Sequence, residues 1–145
     1  MILYTSDDSK RVEIKRIHRY AIQLKGGKII KKIDVMFAIS KALLAKVKSG
    51  ITIDRVIKAQ GNRTVEKRAD RPKVRGTVDA SADQKPIKCV MLTGHILRSR
   101  LRAHTNYHII LEIAGEIVLV HRHGLIAFAV EESAADTAAK NGQLP

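Results

Sequence analysis

The sequence predicts a mainly β protein, and three observations predict it. Between Ile87 and Val130 short apolar runs recur every few residues, and glycines or small polar residues separate them. The second run alternates apolar and polar residues with the period of two that a half-buried strand requires. Strands this short, joined by such tight turns, suggest a strongly bent sheet that closes on itself rather than a sandwich.

The runs can be taken in order. Ile87-Lys88-Cys89-Val90-Met91-Leu92 is the first strand, stopped by Thr93-Gly94. In the second, Leu97, Ser99, Leu101 and Ala103 share one side while Arg98, Arg100, Arg102 and His104 share the other. Thr105-Asn106 turns the chain, and Tyr107, Ile109, Leu111 and Ile113 carry a third strand to Ala114-Gly115. Ile117 to Val120 is long enough for a buried fourth. The polar turn His121-Arg122-His123-Gly124 then leads into a fifth, Leu125 to Val130.

Composition bounds the partners. In 145 residues, 27 Lys and Arg stand against 14 Asp and Glu, a formal charge of +13. Such a balance implies a polyanionic partner, nucleic acid before membrane. No apolar run approaches a spanning length, so no membrane association is expected. The excess lies wholly in the first half: Met1 to Val78 holds twenty basic and seven acidic residues, Asp79 to Pro145 seven of each. The lone Cys89 can form no internal disulfide, which fits a reducing cytosol. Met1-Ile2-Leu3-Tyr4 is too short for the apolar core of a signal peptide and soon meets Asp7-Asp8, so a cytoplasmic location is expected.

Three ordered features then carry a resemblance. Met91-Leu92-Thr93-Gly94-His95-Ile96-Leu97 places a polar residue and glycine between apolar flanks at the first turn. Asn106-Tyr107 sets an amide beside an aromatic. His121-Arg122-His123-Gly124-Leu125 supplies a ring, a cation, a histidine, a small residue and an apolar one. In this order they resemble the Sm and Sm-like family, and within it the bacterial RNA chaperone Hfq, with one extra residue near Gly115 to Val120. The resemblance implies small five-stranded barrels that oligomerise edge to edge, the fourth strand of one unit pairing with the fifth of the next.

The first half can be laid against the same pattern without a gap. Ile22-Gln23-Leu24-Lys25-Gly26-Gly27-Lys28-Ile29-Ile30 matches the first strand and turn, and Gly27-Lys28-Ile29-Ile30 echoes Gly94-His95-Ile96-Leu97. Phe37, Leu43, Leu44, Ser49 and Ile57 fall at further matching positions. Ser6 to His18 is then the helix that precedes the barrel, with Ser6 or Asp7 as its cap. The resulting expectation is mainly β: two small, strongly bent, five-stranded Sm-like barrels, the first preceded by a short α-helix. Residues 1–60 form the first unit, 61–78 an exposed basic linker, 79–130 the second unit and 131–145 a flexible tail. A second reading stays open for 33–49: Ile33, Met36, Phe37, Ser40, Leu43, Leu44 and Val47 also fit a helical stripe, with Gly50 as its C-cap. Two units per chain imply a homo-oligomer, three chains closing a pseudo-hexameric ring.

A pocket that selects a single-stranded pyrimidine needs a π-face for stacking, an amide for the base edge and donors for phosphate. Tyr107 can supply the face, Asn106 the amide, and Arg122 and His123 the donors. By resemblance these four line a uridine site. The plainer alternative makes Tyr107 strand core, Asn106 a turn residue and His121 to His123 a solvated loop. In the first unit the positions matched to this pocket are Ile39, Ser40, Asp54 and Arg55, which weakens it there. An adenosine-reading surface maps to Gln23, Ile29 and Lys31, and to Val90, Ile96 and Arg98; it has no aromatic. Lys15, Arg16 and Arg19 offer a basic rim that Arg63, Lys67, Arg68, Arg71, Lys73 and Arg75 extend, against the alternative of solubilising charge.

The expected function is therefore Hfq-like: an RNA-binding chaperone that holds uridine-rich single-stranded RNA and promotes pairing of small RNAs with messages. A different class remains beside it, a basic nucleoid, ribosome-associated or mobile-element protein using its barrels for oligomerisation. No enzyme, cofactor or metal site is expected. The histidines lack acidic or Cys partners at ligand spacing, and the sequence has no phosphate-cradling glycine loop, nucleophile elbow or carboxylate pair.

Overall fold

The computed structural model describes residues 1–5, 9–60, 67, 69, 71, 73–79, 82 and 84–131. The first half supplies strands β1 (Ile2–Thr5), β2 (Ser9–Arg11), β3 (Ile14–Ile17), β4 (Ala21–Leu24), β5 (Ile29–Lys31) and β6 (Val35–Ile39). Helix α1 (Leu44–Val47), strand β7 (Ile51–Ile53) and helix α2 (Arg55–Ala59) follow. The second half supplies β8 (Pro86–Met91), β9 (His95–His104), β10 (His108–Ile113), β11 (Glu116–His121) and β12 (Leu125–Val130). A single 3-10 turn precedes β6, at Lys32–Asp34, and another precedes β12, at Arg122–Gly124.

The protein is mainly β, and its second half follows the alternation read from the sequence. Leu97 and Leu101 of β9 are fully buried while Arg98, Arg100 and Arg102 stay in water. On the neighbouring strands Ile87, Cys89, Met91, Ile109, Leu111, Val118 and Val120 turn the same way. Each such aliphatic side chain contributes about 1.5–3 kcal/mol by leaving water. The β10–β11 turn is made by Ala114 and Gly115, both at positive φ, 51° and 81°, a backbone whose twist matches the two strands it joins.

Eight strands pair antiparallel in the order β12-β8-β9-β10-β11-β6-β1-β2, and β7 adds to the free edge of β9 at His95 to Leu97. The remaining three form a separate sheet, β3-β4-β5. The sheet does not close on itself as expected. Among the described residues no ladder joins β12 to β11, because β11 gives its outer edge to β6, Leu119 facing Ala38 and Val120 facing Phe37. The two halves also share one core: Met36, Phe37, Ile39 and Val47 pack with the second-half residues. A smaller cluster of Leu3, Ile22, Leu24, Ile30 and Val35 lies within the first half.

The first half departs from expectation in three places. No helix precedes its strands: residues 9–17 form β2 and β3, and Ser6 and Asp7 lie outside the described residues. The reason is visible from Arg11 to Lys15, where Val12 and Ile14 are half-buried against the small core and Arg11, Glu13 and Lys15 face out, a period of two. Residues 33–49 are neither all strand nor all helix. Val35–Ile39 is a strand, and a mixed 3-10 and α stretch runs from Lys41 to Gly50. Lastly, Ala21–Leu24 and Ile29–Lys31 are a hairpin leading through a 3-10 turn into β6, so they repeat β10, β11 and the turn into β12 rather than the first two strands.

Part of the expected basic linker is docked. The Arg75 N–H donates to the Ile126 carbonyl at 2.9 Å and the Phe128 N–H to the Arg75 carbonyl at 2.8 Å, a parallel bridge along the outer edge of β12. Gly76 has φ +86°, and a Cβ there would stand 1.9 Å from the Phe128 oxygen, so only glycine permits this approach. Arg63 and Arg68 lie outside the described residues, as does the tail from 132 onward. No helix among the described residues is long and apolar enough to cross a membrane.

Candidate nucleic-acid interface

The β9–β10 turn is built by Thr105. Its Oγ1 accepts from the Tyr107 N–H at 3.2 Å and the His108 N–H at 3.0 Å, while its own N–H donates to the His108 carbonyl at 2.8 Å. The hydroxyl closes the turn through backbone N–H groups, using neither the Asn106 amide nor the Tyr107 ring. Asn106 is exposed, and Tyr107 keeps 75% of its surface in water, so it is not strand core.

The 3-10 turn before β12 is brought to the same place. The Arg122 N–H donates to the Tyr107 carbonyl at 2.9 Å. Its Nη2 donates to His104 Nδ1 at 3.1 Å, and its Nε is buried with no hydrogen-bond partner among the described residues. Gly124 ends the turn under β6, where an added Cβ would sit 2.6 Å from Met36 Sδ and 3.1 Å from its Cα. Arg122 also lines a shallow cleft of about 190 Å³ with Val74, Gly76, Thr77, Val78 and Leu125. Asn106 and Tyr107 therefore stand at a turn tip tied to the Arg122 backbone, with the Arg122 guanidinium turned to His104.

His123 has a different task. Its Nε2 donates to the Val35 carbonyl at 2.9 Å, tying the turn to the first strand residue of β6. Burial pushes its pKa down, partly offset by that hydrogen bond, with the Arg71 charge adding to the depression. His121 lies beside it, ring centroids 5.2 Å apart, and meets His108 edge-on at 4.9 Å. Burial, then His123, His108 and Lys32, push the His121 pKa down to about 4. Burial favours the neutral form of both rings, and the His123 hydrogen bond ties the turn to β6 at the junction between the halves.

Of the first-unit positions matched to this pocket, none gathers into one. Ile39 is buried, Ser40 precedes a 3-10 turn, and Asp54 caps α2, its Oδ1 accepting from the N–H groups of Val56 at 2.9 Å and Ile57 at 3.1 Å. Arg55 is exposed on α2. Gln23 faces Ile29 across β4 and β5, and Val90 faces Ile96 across β8 and β9; Arg98 pairs with Glu131 at 3.4 Å. Lys15, Arg16 and Arg19 are exposed on β3 and the turn after it rather than on a helix. Lys67, Lys73 and Arg75 are exposed, and Arg71 is half-buried near His123.

The residue that sequence matching passed over is Tyr20. The His18 N–H donates to the Ala21 carbonyl at 2.8 Å and the Lys32 N–H to the Tyr20 carbonyl at 2.9 Å, the same two bonds that Thr105 and Arg122 make around Tyr107. Tyr20 is 72% exposed, and the Arg19 guanidinium lies 5.0 Å from its ring centre. The signal that finds it is a tyrosine followed by an apolar strand and a turn glycine: Tyr20 before Gly27, Tyr107 before Gly115.

No protein-family model matches the chain, and neither a curated protein nor a solved structure matches it.

Proposed function

We propose that this protein is an Hfq-like RNA-binding chaperone that holds uridine-rich single-stranded RNA on the rim of Asn106, Tyr107 and Arg122, and so promotes pairing of small RNAs with messages. The observation that carries the reading is the exposed Tyr107 ring beside Asn106, with the Arg122 backbone bonded to the Tyr107 carbonyl. An aromatic held at a turn tip by hydrogen bonds that it does not itself need is a stacking platform, and stacking is how single strands are held. The charge of +13 supplies the field that gathers the polyanion.

In the same reading each half is an Sm-like unit. The second half pairs its five strands in the order fifth, first, second, third, fourth, and its fourth strand joins β6 of the first half. Repeating that junction between chains, from the outer edge of β5 to that of β12, closes a ring of three chains with six units. The edge of β12 carries Arg75 in the isolated chain, so closure displaces the 73–76 segment.

Filter binding tests the function. Oligo-U should bind more tightly than duplex DNA of equal length, and Tyr107→Ala should weaken it by about 1–3 kcal/mol, the worth of one stacked base. Equal affinity for the two nucleic acids together with indifference to Tyr107→Ala would leave only a basic structural protein. Native mass tests the ring: three chains support it, and six chains or a monomer at working concentration count against it.

A further inference from the structure

Tyr20 stands in a frame that shares two backbone hydrogen bonds with the Tyr107 frame, yet the side chains around it differ. The turn into β4 and the turn into β10 are closed by equivalent backbone hydrogen bonds of 2.8 Å, and the cationic residue opening each 3-10 turn, Lys32 or Arg122, donates its N–H to the tyrosine carbonyl at 2.9 Å. Both rings are largely exposed, 72% and 75%. Where the second half has Asn106 before the tyrosine, the first has Arg19, whose guanidinium lies over the Tyr20 ring at 5.0 Å. Where the second half has His123 after the cation, the first has Ile33.

These exchanges remove the group that can read a base edge and keep those that hold a stacked base and a phosphate. Arg19 covers one face of Tyr20 and leaves the other for a base, because every base has a π-face and the site then has no amide to choose among them. Lys32 supplies a second cation. The turn it opens runs to Val35, whose carbonyl accepts from His123 Nε2 at 2.9 Å, one residue from Arg122, so the turns that hold the two tyrosines meet at the β11–β6 junction.

We propose that Tyr20, Arg19 and Lys32 form a second single-strand site that accepts any base, contiguous with the uridine-selective rim at Tyr107, so that each chain holds one strand at a selective point and a tolerant one. The inference rests on the reading of Tyr107 as a stacking platform. It deepens that reading by giving the chain a polarity of selectivity along the bound strand.

The test is fluorescence anisotropy on the full chain with three RNA probes, rU4, rU12 and rU6A6, and the variants Tyr20→Ala, Tyr20→Phe and Tyr107→Ala. Both tyrosines are exposed, and circular dichroism checks that the alanine variants stay folded. Tyr20→Ala should weaken rU12 and rU6A6 alike, by about fivefold to a hundredfold for the loss of one stacked base, and leave rU4 within about twofold. Tyr20→Phe should restore wild-type affinity. Tyr107→Ala should weaken all three probes. Tyr20→Ala binding rU12 as wild type while Tyr107→Ala loses it overturns the second site and leaves the Tyr107 reading standing. Indifference to both changes overturns the two together. A loss on rU12 that is absent on rU6A6 shows Tyr20 to be base-selective and overturns the tolerant site as described.

Discussion

Acid should loosen the junction between the two halves, and His121 sets the size of the effect. Free histidine titrates near 6.5, whereas burial at the end of β11, beside His123, His108 and Lys32, holds His121 neutral down to about 4. The folded-state value is the lower one, so the unfolded chain takes up its proton first. The stabilisation is full above pH 6.5 and is lost as the pH falls toward 4. By about pH 5 this one ring should cost about 2 kcal/mol of stability relative to about pH 7. His95 is depressed in the same direction, to about 4, by burial and then by Lys58, and His123 also downward, so the whole protein should lose more than that. Urea unfolding of the wild type and of His121→Phe, at about pH 7 and about pH 5, isolates the single contribution, because Phe keeps a ring against His108 and His123 and cannot titrate. The wild type should lose about 2 kcal/mol more than the variant between the two conditions. Identical losses would refute the assignment of the depression to His121.

Three further outcomes are expected. Gly124→Ala forces a Cβ to within 3.1 Å of the Met36 Cα and should lower stability by about 1–3 kcal/mol, read as a fall in Tm; an unchanged Tm would mean that the β6 junction is slack. Asp54→Ala removes an N-cap that accepts two N–H groups and should cost about 1 kcal/mol in denaturant unfolding, with α2 fraying from Gly94, whose carbonyl accepts from the Asp54 N–H at 2.8 Å; no loss would show that α2 is held by packing alone. Cys89 is buried, with its thiol pushed up to about 12, so iodoacetamide at pH 8 should label it slowly in the native protein and rapidly in urea; equal rates would place it at the surface.

The second half was legible because its strands are long enough to show their period. Ten residues of β9 alternate Leu97, Ser99 and Leu101 against arginines, and no helix can bury that set on one face. The first half was legible in class alone. Its strands are three to five residues long, too short for a period to set their register. The motif used to align it was also ambiguous in kind: Gly27-Lys28-Ile29-Ile30 resembles Gly115-Glu116-Ile117-Val118 as closely as it resembles Gly94-His95-Ile96-Leu97, since any hairpin turn running into a buried strand reads glycine, polar, apolar, apolar. Matching Gly27 to Gly94 places the first-unit pocket positions at Ile39 and Ser40, whereas matching it to Gly115 brings Tyr20 to within a residue of Tyr107. Of the four residues assigned to the uridine pocket, Asn106 and Tyr107 share an exposed turn tip that the Arg122 backbone holds. The His123 ring donates to the Val35 carbonyl, a partner 88 positions away that no local pattern reveals.

The central claim is that a base of single-stranded RNA stacks on Tyr107. Chemical-shift mapping on the ¹⁵N-labelled protein titrated with rU6 tests it most directly. The amides of Thr105 to His108 and of Arg122 should move first and furthest, since they frame the stacked ring. Shifts confined to the basic 67–75 region, with the Tyr107 turn unmoved at saturation, would contradict the account.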